Sequence, residues 1–315
     1  MPIQSTRAMS RRRVLTGGLA AVGATLILPD PSFALSKGVP IQALGFDGAV
    51  LVAASKRRLW HLSSSQEAKP SPVERSIAAI ASHPETPGTM FAAIDPVGLM
   101  RSRDGGSTWA DAGAGLPATR VTALTHSALE PDMLYAALAE DGLWRSIDAG
   151  ESWEFVMDRP YLNGAEREVL TLASVGNPTG MGGIWLYAGT DAGLTRVPDC
   201  FCRWQDVTPG DAMDALAAGK TPPSAEPLPE GQSVRHLALS PKASERLYAG
   251  LESGLWTSTD AGVNWTRAAA GKIDALAVDP VDPQHLAAVR DGILSVSRDG
   301  GMTFEPLNIP QGDQT

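Results

Sequence analysis

Basic side chains, histidine, tyrosine and long apolar runs are all scarce in this 315-residue chain. Lys and Arg number 26 against 35 Asp and Glu, a formal charge of −9. Such a polyanion is poorly suited to a nucleic-acid backbone or an anionic lipid surface, which excludes both as partners. The five histidines, at positions 61, 83, 126, 236 and 285, show no metal-ligand spacing. The apolar stretch GGLAAVGATLILP is too short and too rich in glycine to anchor a membrane. What the chain does have is turn chemistry: 32 glycines and 24 prolines make up about 18% of it, as expected where many short strands are joined by tight bends.

The amino terminus reads SRRRVLT ahead of that apolar stretch, and Ser32, Phe33 and Ala34 place small residues around a cut after Ala34. This resembles a twin-arginine export signal, which gives residues 1–34 as a signal peptide, 35–315 as the mature domain, and a periplasmic or secreted location with no transmembrane anchor once the signal is removed. An ordinary secretory signal is the alternative. Removal would leave 22 basic and 34 acidic side chains, a formal charge near −12.

Four octets repeat along the chain: SRDGGSTW from Ser102, SIDAGESW from Ser146, STDAGVNW from Ser258 and SRDGGMTF from Ser297. Each is preceded by a matching phrase, as in VTALTHSALEPDMLYAALAEDGLWR and VRHLALSPKASERLYAGLESGLWT. Every unit alternates short apolar runs with turn residues, which predicts four strands in about 40 residues, the unit of a β-propeller blade. Two degenerate units, 39–66 and 169–207, lack the octet. The expected fold is therefore all-β, a six-bladed propeller of four-stranded antiparallel blades forming a single domain. A gap of 61 residues from Asp199 to Asp260 holds TPGDAMDALAAGKTPPSAEPLPEGQ, an insertion loop at 208–232 without a strand pattern.

The octet pattern S-x-D-x-G-x-[ST]-[WF] is similar to the Asp-box, and the whole repeat is similar to the bacterial neuraminidase repeat superfamily. That superfamily holds sialidases, sortilin-type receptors and the periplasmic or lumenal propellers that assist photosystem II assembly. The octet aspartates, Asp104, Asp148, Asp260 and Asp299, are expected to be structural, accepting bonds from backbone N–H groups of their own turns. Gly106, Gly150, Gly262 and Gly301 suit positive φ, and Trp109, Trp153, Trp265 and Phe304 would cover the space between neighbouring blades. The sialidase resemblance implies a tyrosine nucleophile paired with glutamate. Tyr135, Tyr187 and Tyr248 fall in the repeated LYA strand as packing residues, which leaves Tyr161, with Glu166 or Glu168, as the weak catalytic candidate. The sialidase entry motif is absent, so the chain leans away from enzymes.

Turns between second and third strands carry Asp95, Glu140, Asp141, Asp191, Glu252 and Asp291, with Lys56, Arg57 and Arg58 as the exception. Such a ring at the channel mouth could hold a divalent cation or attract a basic partner, or simply stay hydrated. Cys200 and Cys202, in the octet position of the fourth unit with Asp199 before them and Phe201 in the glycine place, allow a disulfide, a copper site or a redox pair. The loop of Tyr161 and the 208–232 insertion are expected on the acidic face, where long loops carry recognition. The resulting expectation is an exported, non-catalytic propeller that binds a protein partner or assists assembly of a periplasmic complex. A glycoside-hydrolase-like enzyme and copper handling at the CFC turn are the alternatives.

Overall fold

A computed structural model describes residues 40–309, apart from 57, 64–67, 74, 180–182 and 211. The expected signal peptide, residues 1–34, lies outside the described residues. Blade one is β1 (Ile41–Asp47), β2 (Val50–Ser55), β3 (Arg58–Leu62) and β4 (Ala68–Pro72). Blade two is β5 (Ser76–Ser82), β6 (Met90–Asp95), β7 (Leu99–Ser102) and β8 (Ala110–Asp111). Blade three is β9 (Val121–His126), β10 (Leu134–Leu138), β11 (Gly142–Ser146) and β12 (Glu154–Asp158). A hairpin of β13 (Tyr161–Leu162) and β14 (Ala165–Glu166) precedes blade four, which is β15 (Val169–Val175), β16 (Trp185–Thr190) and β17 (Gly193–Pro198). After α1 (Ala212–Ala217) comes blade five, β18 (His236–Ala238), β19 (Leu247–Leu251), β20 (Gly254–Ser258) and β21 (Thr266–Ala270). Blade six is β22 (Ile273–Val278), β23 (Leu286–Arg290), β24 (Ile293–Ser297) and β25 (Glu305–Pro306).

Every sheet is antiparallel and strictly in chain order. The first strands pack side by side, β1 against β5, β5 against β9, β9 against β15, β15 against β18, β18 against β22, and β22 back against β1. The fold is a six-bladed β-propeller. The ring closes without strand exchange: Ile41, Leu44 and Trp60 of blade one pack directly on Ala275, Ala287 and Leu294 of blade six, with Leu307 and Ile309 against the same cluster.

The sequence explains the layering. Second strands are covered on both faces by neighbouring blades, so β10 (LYAAL) and β19 (LYAGL) are buried at every residue and read as unbroken apolar runs. Their alanines and glycines let adjacent sheets approach closely. Outermost strands such as β12 and β21 are mostly exposed. The core consequently lies as six clusters, each shared between two adjacent blades.

Three details depart from the sequence reading. Blade one's fourth strand lies at Ala68–Pro72, beyond the expected 39–66 unit. Blade four's fourth strand shrinks to a single bridge between Arg196 and Gln205. The insertion contains a short helix, α1, and does not stand only over the acidic face. Trp265 N–H donates to Glu226 O at 2.8 Å, and Glu226 N–H donates to Asn264 Oδ1 at 2.6 Å, so the loop reaches the octet of blade five at the opposite end of the ring. Leu228 and Val207 explain that course, since both pack into the cluster between blades four and five.

Candidate functional site

The octets act as a set. Asp148 Oδ1 accepts the Ser152 N–H at 2.9 Å, and Oδ2 accepts its hydroxyl at 2.6 Å. Asp104 and Asp299 make the same pair of bonds to Thr108 and Thr303. Asn264, where the pattern calls for Ser or Thr, serves Asp260 through its side-chain amide at 2.7 Å. These donors favour the ionised form, led by the side-chain bonds from Thr108, Ser152 and Thr303, and hold Asp104, Asp148 and Asp299 down to about 2. Gly106, Gly150, Gly262 and Gly301 take φ of 85°, 83°, 84° and 90°. Trp109, Trp153, Trp265 and Phe304 each pack into an inter-blade cluster.

The first residue of each octet does more than the sequence suggested. Ser102, Ser146, Ser258 and Ser297 are almost fully buried. Each hydroxyl donates to the octet aspartate and accepts the N–H of the glycine four residues on, at 2.7 to 2.9 Å. The invariant serine in all four copies was the available signal.

The axial channel is walled by the first strands and by the residues that flank them. Leu44, Ile80, Leu124, Leu172, Leu237 and Leu276, one from each blade, border both of its cavities, one of about 210 Å³ toward the octet end and one of about 140 Å³ toward the other. This aliphatic collar separates the two ends. The larger cavity is bordered by His83 and His126, whose rings meet edge-on at 5.2 Å. His126 Nδ1 donates to Pro131 O at 2.7 Å, and burial depresses this histidine to about 4. The smaller cavity is bordered by Arg235 and by His236, which burial also depresses to about 4.

The acidic turns lie at the end where the first strands begin, because first and second strands are antiparallel. None of the six acids borders the channel. Asp141 accepts the Trp144 indole N–H at 2.5 Å, Asp191 pairs with Arg167 at 3.4 Å, and Glu252 pairs with Lys272 at 3.4 Å. Asp291 accepts the Lys272 N–H at 2.9 Å, the Glu140 N–H donates to Glu168, and Asp95 is exposed. Among the described residues no three His, Cys, Asp or Glu side chains gather as a metal site would require. The six acids lie on or beside the turns between second and third strands of five different blades.

Cys200 and Cys202 are bonded to each other as a disulfide. The copper reading required two thiolates and is replaced by this covalent turn, in which Phe201 takes a φ of 52° where the octets use glycine.

Tyr161 and Glu166 face each other as paired residues of the extra hairpin, yet no bond joins their side chains. The Tyr161 hydroxyl donates to Gly164 O at 2.8 Å, while Arg159 binds both Glu166 and Glu168. The nucleophile pair expected from the sialidase resemblance is therefore not assembled: the glutamates are engaged by the Arg159 guanidinium. Tyr161 is 66% exposed.

No protein-family model matches the chain, and no curated protein does. Among solved structures it is similar to the GH74 enzyme of Niastella koreensis, with 12% identity, a TM-score of 0.60, and 85% of this chain and 45% of that one covered. The GH74 xyloglucanase of Xanthomonas campestris follows at 18% identity and TM-score 0.53, covering 84% and 45%. YCF48 bound to a D1 peptide is similar at 15% identity and TM-score 0.49, covering 85% and 82%. The chain spans less than half the length of the GH74 structures it matches. The likeness to the two GH74 structures is one of fold alone. No described helix is long and apolar enough to cross a membrane.

Proposed function

We propose that this chain is an exported, non-catalytic propeller that binds a protein partner and assists assembly of a periplasmic complex. The observation that carries the reading is the β13–β14 hairpin. It belongs to no blade and is not needed to close the ring. Arg159 nonetheless fixes it by binding Glu166 and Glu168, and a large amphipathic side chain, Tyr161, stands exposed on it. A rigid aromatic on a preorganised projection is the usual anchor of a protein interface. Asp158, Glu140, Asp191 and Glu252 belong to the same acidic end, which favours a partner with a basic complementary surface. The SRRRVLT segment and the cut after Ala34 support the periplasmic location.

The test is copurification from the periplasm with a photo-crosslinking amino acid at 161. A discrete crosslinked partner, retained by the unmodified protein and lost with Tyr161→Ala at unchanged melting temperature, is expected. Identical recoveries with both proteins would refute the role of the hairpin. Hydrolysis of a glycoside abolished by Glu166→Gln would replace the reading with an enzymatic one.

A further inference from the structure

Three of the grooves between blades are filled in a repeated way, and the groove of blade two borders a cavity instead. In blade five, Val234, Leu251, Trp256 and Trp265 meet Leu228 of the insertion, whose neighbour Glu226 bonds through its backbone to Trp265 and Asn264. In blade three, the equivalent residues Val121, Leu138, Trp144 and Trp153 meet Leu116 of the preceding connection, and Gly115 passes beside the Trp153 backbone. At blade one the role falls to Leu307 and Ile309. The filling segments share a sequence: Glu226-Pro227-Leu228-Pro229, Glu305-Pro306-Leu307 and Leu116-Pro117.

Blade two has the same groove with the smaller Val73 of its connection packed there in place of a leucine. Its connection supplies Val73 and Arg75 but no leucine. The equivalent residues Ile77, Ile94, Met100 and Trp109 instead border an open cavity of about 410 Å³ between blades one and two. Thr108 and Ser107 border its octet end and the exposed Arg75 its other end. The indole N–H of Trp109 donates to Gly106 O at 3.0 Å, but its backbone N–H, like that of Trp153, has no backbone acceptor among the described residues, whereas the backbone N–H of Trp265 in blade five is taken by Glu226.

We propose that the groove between blades one and two binds an extended Glu-Pro-Leu-Pro-type segment of the partner protein, laid in as Glu226–Pro229 is laid into blade five. This deepens the partner-binding reading and rests on it. The leucine would enter between Met100 and Trp109, a partner carbonyl would accept the Trp109 backbone N–H, and an acidic residue after the second proline would meet Arg75. An acidic, proline-rich strand suits the site because proline removes donors the groove does not need and lowers the entropy lost on docking.

The probe is the acetylated, amidated peptide SAEPLPE, titrated into the full chain with the methionine methyl groups observed by NMR. Saturable binding that shifts the Met100 methyl is expected, weakened more than about tenfold by Leu→Asp in the peptide, since the buried leucine carries the contact. Arg75→Glu, a surface change that leaves the fold intact, should weaken it about threefold. Absence of saturable binding, indifference to Leu→Asp, or shifts confined to other methionines would overturn the proposal. So would a concentration-dependent dimer that the peptide dissociates, which would make a second copy the occupant. A partner still captured through Tyr161 while the peptide fails to bind would refute the groove and leave the hairpin reading standing. Peptide binding without any Tyr161-dependent partner would do the reverse.

Discussion

Replacing Ser146 by alanine should destabilise the propeller more than replacing Asp148, although the aspartate makes as many bonds. The Ser146 hydroxyl is buried and accepts the N–H of Gly150 at 2.8 Å within a covered turn. Removing it strands a buried donor, for which about 1 to 3 kcal/mol is expected. Asp148 serves donors of Ser152, an exposed residue, and water can replace the carboxylate there. Its loss should therefore lie nearer the ordinary net value of about 1 kcal/mol. At about 2–4 °C per kcal/mol for a domain of this size, Ser146→Ala should melt several degrees below Asp148→Ala. Tryptophan fluorescence during thermal and urea unfolding reads both, and the double variant shows how far the two share one network. A larger loss for Asp148→Ala, or a neutral Ser146→Ala, would refute the reasoning.

Acid should act in two windows. His126 and His236 are held near 4, below the ordinary 6.5, so the unfolded chain binds more protons and stability falls as pH drops from about 6.5 to 4. The octet aspartates are also depressed; their contribution is complete above the ordinary 3.8 and is lost as pH falls through about 2, so urea midpoints should show a second decline there. Gly150→Ala places a Cβ 2.8 Å from the Phe91 ring at a φ of 83°, and should cost about 2–4 kcal/mol by denaturant titration. Mass spectrometry of the isolated protein should find one disulfide and no free thiol; substituting both cysteines by serine should cost only about 1.5 kcal/mol, because the closed loop is so short.

The ring was legible because its information is local and repeated. Octets, LYA strands and GLW runs name the strands and their order, and the glycines announce positive φ by residue type alone. The channel mouth was not legible. Acids in turns look convergent along the sequence, but the cavities on the axis are bordered by first strands and their flanking residues, whereas the acids sit on turns between second and third strands. Tyr161 and Glu166, expected in a loop, pair across the β13–β14 hairpin, and the partner of the glutamates is Arg159, which the resemblance to a catalytic pair obscured. The course of the insertion was hidden for another reason. Leu228 reads as one apolar residue in a polar loop until the comparison with Leu116 and Leu307 shows that such leucines are fillers.

Because each ladder of strand hydrogen bonds is built from one unbroken stretch of chain, no sheet depends on a distant piece of the polypeptide. Joining residue 309 to residue 40 through a short linker and reopening the molecule within 208–232 would therefore sever no strand pairing. Circular permutants cut between wedges should retain the architecture, whereas cuts inside a wedge should not.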